Sequence, residues 1–161
     1  MRNHNDEKAA LEAAAIGIFL NIYNLNHPQP LSIWKRQERP DYVLTDGRHH
    51  RIGVEVTHLF YDHLEARRVL GRLNPNNHGE ESFEEFAQVL NDLLQQKEKK
   101  FKKYNQSYPV SLLVRNVSPL FGMSDVLKHK DLYYKPSGMM NVWFLSKDGI
   151  DEWLLKDLFD L

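Results

Sequence analysis

The stretch that decides the fold runs from Glu38 to Phe60 and reads ERPDYVLTDGRHHRIGVEVTHLF. Residues 39–45 and 51–60 have the apolar and β-branched composition of two strands, and a polar turn separates them. The sequence therefore predicts an antiparallel hairpin. Its second strand carries a carboxylate, Glu55, and burying an ionised carboxylate is costly unless it is paired or bound to a metal.

The length of the turn determines which side chains face one another. A two-residue turn at positions 46–47 would place Asp41 opposite Ile52, on the core face. A longer loop centred on Arg48 places Asp41 opposite Glu55 instead, with the two Cβ atoms about 4.5–5.5 Å apart. Two like charges at that distance repel, and a divalent cation offsets the repulsion. We predict the longer loop.

Composition predicts one soluble domain spanning residues 1–161. The chain is 42% hydrophobic and 27% charged, which is typical of globular domains, and no apolar run is long enough to span a membrane. The acidic residues near its start are unlike a secretory signal, so we expect a cytoplasmic protein without membrane contact. The chain has no cysteine, which excludes disulfides and thiolate ligands and leaves oxygen or imidazole for any metal.

Two long helices and two further strands are predicted around the hairpin. Residues 6–25 are rich in alanine and leucine, and residues 82–104 carry an apolar stripe of helical period. The runs PVSLLVRNV from Pro109 and NVWFLSKDG from Asn141 predict interior strands, whereas MSDVLKHKD and the C-terminal GIDEWLLKDLF predict helices and residues 71–81 an irregular segment. This order predicts the α/β class, with a mixed central sheet flanked by helices.

The hairpin carries the residues of a known pattern. Pro40-Asp41 on one strand, followed by Glu55-Val56-Thr57 on the next, resembles the PD-(D/E)XK phosphodiesterase superfamily, the restriction-endonuclease-like nucleases. The resemblance implies an α-β-β-(β)-α-β core and a metal-dependent nuclease that hydrolyses phosphodiester bonds of nucleic acid, with DNA favoured over RNA. It also implies Mg²⁺ or Mn²⁺ held by Asp41, Glu55 and the backbone carbonyl of Val56, with Glu12 of the first helix as a further ligand. The alternative for Glu12 is an exposed side chain near the helix start, where the helix dipole favours a negative charge.

The pattern departs from the superfamily at Thr57, where the catalytic lysine is expected. The second helix offers replacements, because its apolar stripe turns Lys97 inward and leaves Lys100 at the edge of the stripe. Some branches of the superfamily are similar, with a Glu-Val-Thr strand, a helix carrying two lysines three residues apart, and a tyrosine, here Tyr104. The alternative is that Lys97 extends its ammonium past the sheet edge and buries only its stem.

The end of the second helix is basic. The segment KEKKFKK, residues 97–103, holds five lysines against one glutamate although the whole chain has a net charge of −1. Lys99, Lys102 and Lys103 are predicted to hold the backbone of nucleic acid, while the alternative is a solvated helix end. Trp34 and Tyr42 are candidates for stacking on bases, while the alternative is that these aromatic side chains fill the core. Pairing of two copies would suit a duplex target.

Three other interpretations remain open. Four histidines cluster around the hairpin, at positions 49, 50, 58 and 63, but their spacing fits no zinc motif and His49-His50 are typical of a turn. A catalytically silent member of the same fold would bind nucleic acid or protein, and Thr57 favours it. In an unrelated α/β protein, Asp41 and Glu55 would be surface charges on an edge hairpin. Contact between Lys97 and Glu55 favours catalysis, and a central position of Glu55 excludes the surface-charge interpretation.

Overall fold

The structure is a computed structural model that describes residues 4–59, 80–104, 107–118, 120–149 and 152–161. Within these ranges the helices are α1 (His4–Asn26), α2 (Glu80–Phe101) and α3 (Met123–Lys128), and the strands are β1 (Ser32–Arg36), β2 (Tyr42–Thr45), β3 (Arg51–Leu59), β4 (Val110–Asn116), β5 (Val142–Ser146) and β6 (Leu154–Asp157). Of the predicted irregular segment 71–81, residues 71–79 lie outside the described ranges, as does His63, and Glu80 already belongs to α2.

The described strands form one mixed sheet in the order β1-β2-β3-β4-β5-β6. The first three strands are antiparallel neighbours, β4 runs parallel to β3 and β5 parallel to β4, and β6 returns antiparallel to β5. The connection from β3 to β4 contains α2, since parallel neighbours need a long crossover. The predicted α/β class with a mixed sheet flanked by helices is confirmed.

The two long helices cover opposite faces of the sheet. Ile16 and Phe19 of α1 pack in one hydrophobic cluster with Val54 and Val56 of β3. The second cluster contains the buried α2 residues Phe83, Phe86, Ala87, Leu90, Leu94 and Phe101 together with Leu112 and Val114 of β4. Because side chains alternate along a strand, Glu55 lies on the face that α2 covers.

The hairpin has the predicted longer loop. Tyr42 pairs with Val54 and Leu44 with Ile52, so residues 46–50 form the connection and its centre is Arg48. The carboxylate of Asp46 stabilises this loop, accepting the backbone N–H groups of Arg48 at 2.8 Å and His50 at 3.0 Å. If the same register is continued by one residue beyond Tyr42, Asp41 lies opposite Glu55.

The predicted C-terminal helix is wrong. Leu154–Asp157 form β6, which pairs with β5, and only a single 3-10 turn, Leu158–Asp160, follows. Pairing with the edge of β5 is more favourable than the helix that the local pattern predicts, because pairing satisfies the backbone hydrogen-bonding groups of both strands. Side chains reinforce the pairing: Asn141 donates to the Asp157 carboxylate at 2.6 Å.

The start of the sheet also differs from the prediction. The first hairpin strand begins at Tyr42 rather than Arg39, and a strand that the sequence did not indicate, β1, pairs with it. All five residues of β1 are exposed, so they lack the alternation between buried and exposed positions on which strand prediction rests. The predicted short helix over 123–131 is confirmed as α3, followed by a 3-10 turn at Lys130–Leu132.

Candidate active site

A cleft of about 350 Å³ opens where the C-terminal part of α2 meets the start of β2 and the middle of β3. Its described lining consists of Lys8, Glu38, Arg39, Asp41, Glu55, Val56, Lys97, Lys100, Lys103 and Tyr104. Five of these side chains are basic and three are acidic, so cations surround a small acidic centre. This arrangement suits an anionic ligand that is bound next to a metal or a proton.

The acidic centre is the pair Asp41 and Glu55. Asp41 accepts the backbone N–H of Val56 at 2.8 Å, and its carboxyl lies within hydrogen-bonding reach of Glu55. Burial, assisted by the negative charges of Glu55 and Glu12, raises the pKa of Asp41 to about 7, although the Val56 N–H acts in the opposite direction. The pair therefore holds a proton near neutral pH or needs a cation to keep both groups ionised.

Glu55 is held from the side of α2. Its Oε2 atom accepts the Tyr104 hydroxyl at 2.5 Å and lies 3.7 Å from the ammonium nitrogen of Lys97. Glu55 is only 5% exposed, so these contacts compensate for a charge removed from water. The inward orientation predicted for Lys97 is confirmed.

Burial has opposite effects on the partners of Glu55. It lowers the pKa of Lys97, and the neighbouring Glu55 carboxylate partly restores that pKa. It raises the pKa of Tyr104, as does hydrogen bonding to Glu55, so this hydroxyl remains a donor at neutral pH. Glu55 therefore faces one cation and one neutral donor.

Thr57 lies two residues beyond Glu55 on β3 and is buried, 9% exposed. It is not among the described residues that line the cleft. The cation next to Glu55 in the cleft is Lys97, which belongs to α2.

Glu12 lies near the site without lining it. Its side chain is buried, 3.8 Å from the ammonium of Lys8, which does line the cleft. Burial raises the pKa of Glu12, and Glu55 contributes in the same direction. The structure thus places Glu12 within electrostatic range of the acidic pair, whereas contact with a cleft-bound metal stays a prediction.

The basic run at the end of α2 divides between two directions. Lys100 and Lys103 line the cleft together with Lys97, whereas Lys99 and Lys102 lie outside its described lining. Two further cations line the cleft, Lys8 and Arg39, and neither was predicted from the sequence to belong to the site. Lys8 had a recognisable signal, since it precedes Glu12 by one helical turn.

The acidic pair offers the donor set that Mg²⁺ or Mn²⁺ prefers, namely carboxylate oxygens next to backbone groups. Over the described residues, no group of three His, Asp or Glu side chains is placed to hold a metal ion. A cation here would rest on Asp41 and Glu55, with main-chain or water oxygen completing its shell. The Val56 contact seen in the structure is made by the N–H to Asp41, and coordination by its carbonyl stays a prediction.

Two of the histidines around the hairpin, His49 and His50, belong to its loop, where His50 contacts the Asp46 carboxylate at 2.9 Å. Burial, with the positive charges of Arg115, Lys8 and Lys97, lowers the pKa of His58 to about 4.

Comparisons with protein-family models, curated proteins and solved structures find no match to this chain. None of the helices in the described ranges combines the length and apolar character needed to cross a bilayer. The fold and the site therefore define a class only: an α/β domain with a mixed sheet and a cation-lined carboxylate cleft. The surface-charge interpretation is excluded, because β3 is an interior strand of the sheet and Glu55 is buried.

Proposed function

We propose that this protein is a metal-dependent nuclease that hydrolyses phosphodiester bonds, with DNA as its substrate. The observation that carries the proposal is the meeting of Asp41 and Glu55 with Lys97 in one cation-lined cleft. A divalent cation bound by the two carboxylates would lower the pKa of a water ligand and offset charge that develops at phosphorus.

Neighbouring groups orient both proposed metal ligands. The Val56 N–H holds Asp41, and the Tyr104 hydroxyl holds Glu55. Such outer contacts restrict the carboxylates to one geometry before a cation arrives. Burial, together with the negative charges of Glu55 and Glu12, raises the pKa of Asp41. A bound cation would lower that pKa again, so metal binding should release a proton near neutral pH.

Lys97 would serve as the cation of the reaction. Its ammonium lies 3.7 Å from Glu55, within reach of a phosphoryl group next to that carboxylate. A positive charge positioned before the reaction stabilises the negative charge of the transition state. Lys100, Lys103 and Arg39 on the cleft wall would hold phosphates on either side of the scissile bond, which orients the strand without reading its sequence.

A catalytically silent nucleic-acid-binding protein is the second candidate. Two observations favour it: Thr57 occupies the position of the usual lysine, and the described residues present two carboxylates at the acidic centre rather than three. A cytoplasmic location and pairing of two copies remain predictions in both cases.

The test combines calorimetric titration of Mn²⁺ and Mg²⁺ with cleavage assays on plasmid and single-stranded DNA. Wild type is compared with Glu55→Gln and with Glu85→Gln, a matched change at an exposed position of α2. A nuclease loses both cation binding and cleavage in Glu55→Gln only. Lys97→Met should keep cation binding and lose cleavage by about 100-fold or more.

Each other outcome is also informative. Cation binding without cleavage by the wild-type chain supports the silent protein. If the folded wild type binds neither cation, the nuclease proposal is refuted.

A further inference from the structure

The outer strand β1 forms an exposed surface that the proposed chemistry leaves unused. It lies at one end of the sheet order, so β2 covers only one of its edges. Trp34 is 49% exposed and Ile33 is 48% exposed, which is unusual for side chains of this size. Tyr42, the other aromatic candidate for base stacking, is buried and that prediction is wrong.

This surface is also basic. Lys35 follows Trp34 and pairs with Val43, which places it on the same face of the sheet as Arg51, and β1 contains no acidic residue. Arg51 of β3 adds its guanidinium 3.9 Å from the centroid of the Trp34 ring. We call Trp34, Lys35 and Arg51 the β1 platform. The surface is positively charged and carries an exposed aromatic ring, although the whole chain has a net charge of −1. These properties favour an anionic partner that has aromatic rings.

The platform leads directly to the cleft. Arg51 and Glu55 share one face of β3, because they lie four positions apart and every second side chain of a strand points to the same face. Arg39, which lines the cleft, is five positions after Trp34, so the two lie no more than about 17 Å apart along the chain.

We propose that the β1 platform binds an unpaired stretch of DNA that continues from the cleft, with a base stacked on the Trp34–Arg51 pair and a phosphate on Lys35. An unpaired strand is required because bases inside a duplex already stack on one another and present no free face. The inference rests on the proposed function in one respect, that the bound strand is DNA.

The shape of β1 argues against strand pairing with a second copy of the chain. Its register with β2 is interrupted between Ile33 and Lys35, where a bulge places Trp34. Bulges and lysines on an edge strand are features that hinder addition of another strand. The platform therefore presents its side chains to a partner rather than its backbone.

The test measures binding of a fluorescently labelled thymidine oligonucleotide of about 12 nucleotides to the full chain by anisotropy, without divalent cation. Cleavage is not needed, so the result is independent of the nuclease proposal. Trp34→Ala should weaken binding roughly five- to 100-fold, the equivalent of one lost stacking contact, and Trp34→Phe should restore most of it. Lys35→Ser should lower the slope of log affinity against log salt by about 0.7.

The opposite edge of the sheet supplies matched controls. Leu154 and Lys156 are exposed on β6, and Leu154→Ala and Lys156→Ser should bind like the wild type. Circular dichroism establishes that each variant is folded.

Three results would overturn the inference. They are DNA binding by folded Trp34→Ala that equals binding by the wild type, losses of DNA binding in the β6 variants that equal the loss in Trp34→Ala, or a dimer in sedimentation that depends on Trp34. Trp34-dependent binding with no cleavage under any cation would uphold the platform and refute the nuclease. Cleavage of DNA by the wild type, together with unchanged DNA binding by Trp34→Ala, would support the nuclease proposal and refute the platform.

Discussion

Replacing Asp41 with asparagine should stabilise the fold at alkaline pH while removing a proposed metal ligand. Asparagine keeps an oxygen that can accept the Val56 N–H, a contact of 2.8 Å in the structure. Its amide can donate to Glu55, so a repulsion becomes a hydrogen bond. The variant thus separates stability from function at one position.

The size of the effect follows from the pKa of Asp41. Burial and the charges of Glu55 and Glu12 raise this pKa from 3.8 to about 7. The folded state then binds more protons than the unfolded state between those values, so stability falls as the pH rises from about 4 to about 7. The full shift is equivalent to about 4 kcal/mol, and because Asp41 is partly exposed, screening reduces this to about 1–2 kcal/mol.

Thermal unfolding between pH 4 and pH 8, without divalent cation, measures the effect. At pH 8 Asp41→Asn should unfold about 2–6 °C above the wild type, and the difference should vanish near pH 4. Adding Mn²⁺ at 100 times its dissociation constant should then stabilise the wild type by about 2.7 kcal/mol and leave the variant unchanged.

Asp46→Asn provides a control of opposite sign in the same hairpin. Hydrogen bonding from His50 and from the backbone lowers the pKa of Asp46, so this carboxylate contributes stability that is lost as the pH falls through its folded pKa. Asp46→Asn should therefore be less stable than the wild type at pH 8, and the deficit should shrink toward acid pH. A lower unfolding temperature for Asp41→Asn at pH 8 would refute our account of the acidic pair.

Three further changes test the contacts around this pair. Lys97→Met should lower the free energy of unfolding by about 2–4 kcal/mol, because it leaves the buried Glu55 without its cation, and chemical denaturation should show a smaller loss when Glu55→Gln is already present. Tyr104→Phe should cost about 1–2 kcal/mol by the same measurement, since a hydrogen bond to a charged group is lost. Gly53→Ala should cost about 1–3 kcal/mol through overpacking, because its new Cβ would lie 2.6 Å from the Pro40 ring. It should also weaken cation binding in calorimetry, since Pro40 precedes Asp41.

The glycine and lysine changes have matched controls in the same chain. Gly17 lies in α1, and outside its own helix no heavy atom of the described residues comes within 4 Å of the position that an added Cβ would take. Gly17→Ala should therefore gain about 0.5–1 kcal/mol. Lys99→Met changes an exposed lysine two residues from Lys97 and should leave stability nearly unchanged. Additive losses in the Lys97–Glu55 double variant would contradict a direct interaction between the two side chains.

Much of the site was predictable because its geometry is local. The five-residue loop sets the register of β2 against β3, and continuing that register by one residue beyond Tyr42 brings Asp41 opposite Glu55. Helical period turns Lys97 toward the sheet, and strand alternation assigns Val56 and Glu55 to opposite faces. These relations depend on residues within one hairpin or one helix, where the backbone repeats regularly.

The sequence by itself determined the hairpin, the acidic pair and the inward lysine. Only the tertiary structure decided that Tyr104 reaches Glu55, that Lys8 and Arg39 join the cleft, and that the segment predicted as a C-terminal helix becomes β6. The reason is that these contacts join residues distant in the chain, and the local pattern of the C-terminal segment was outweighed by the backbone hydrogen bonds that the edge of β5 offered.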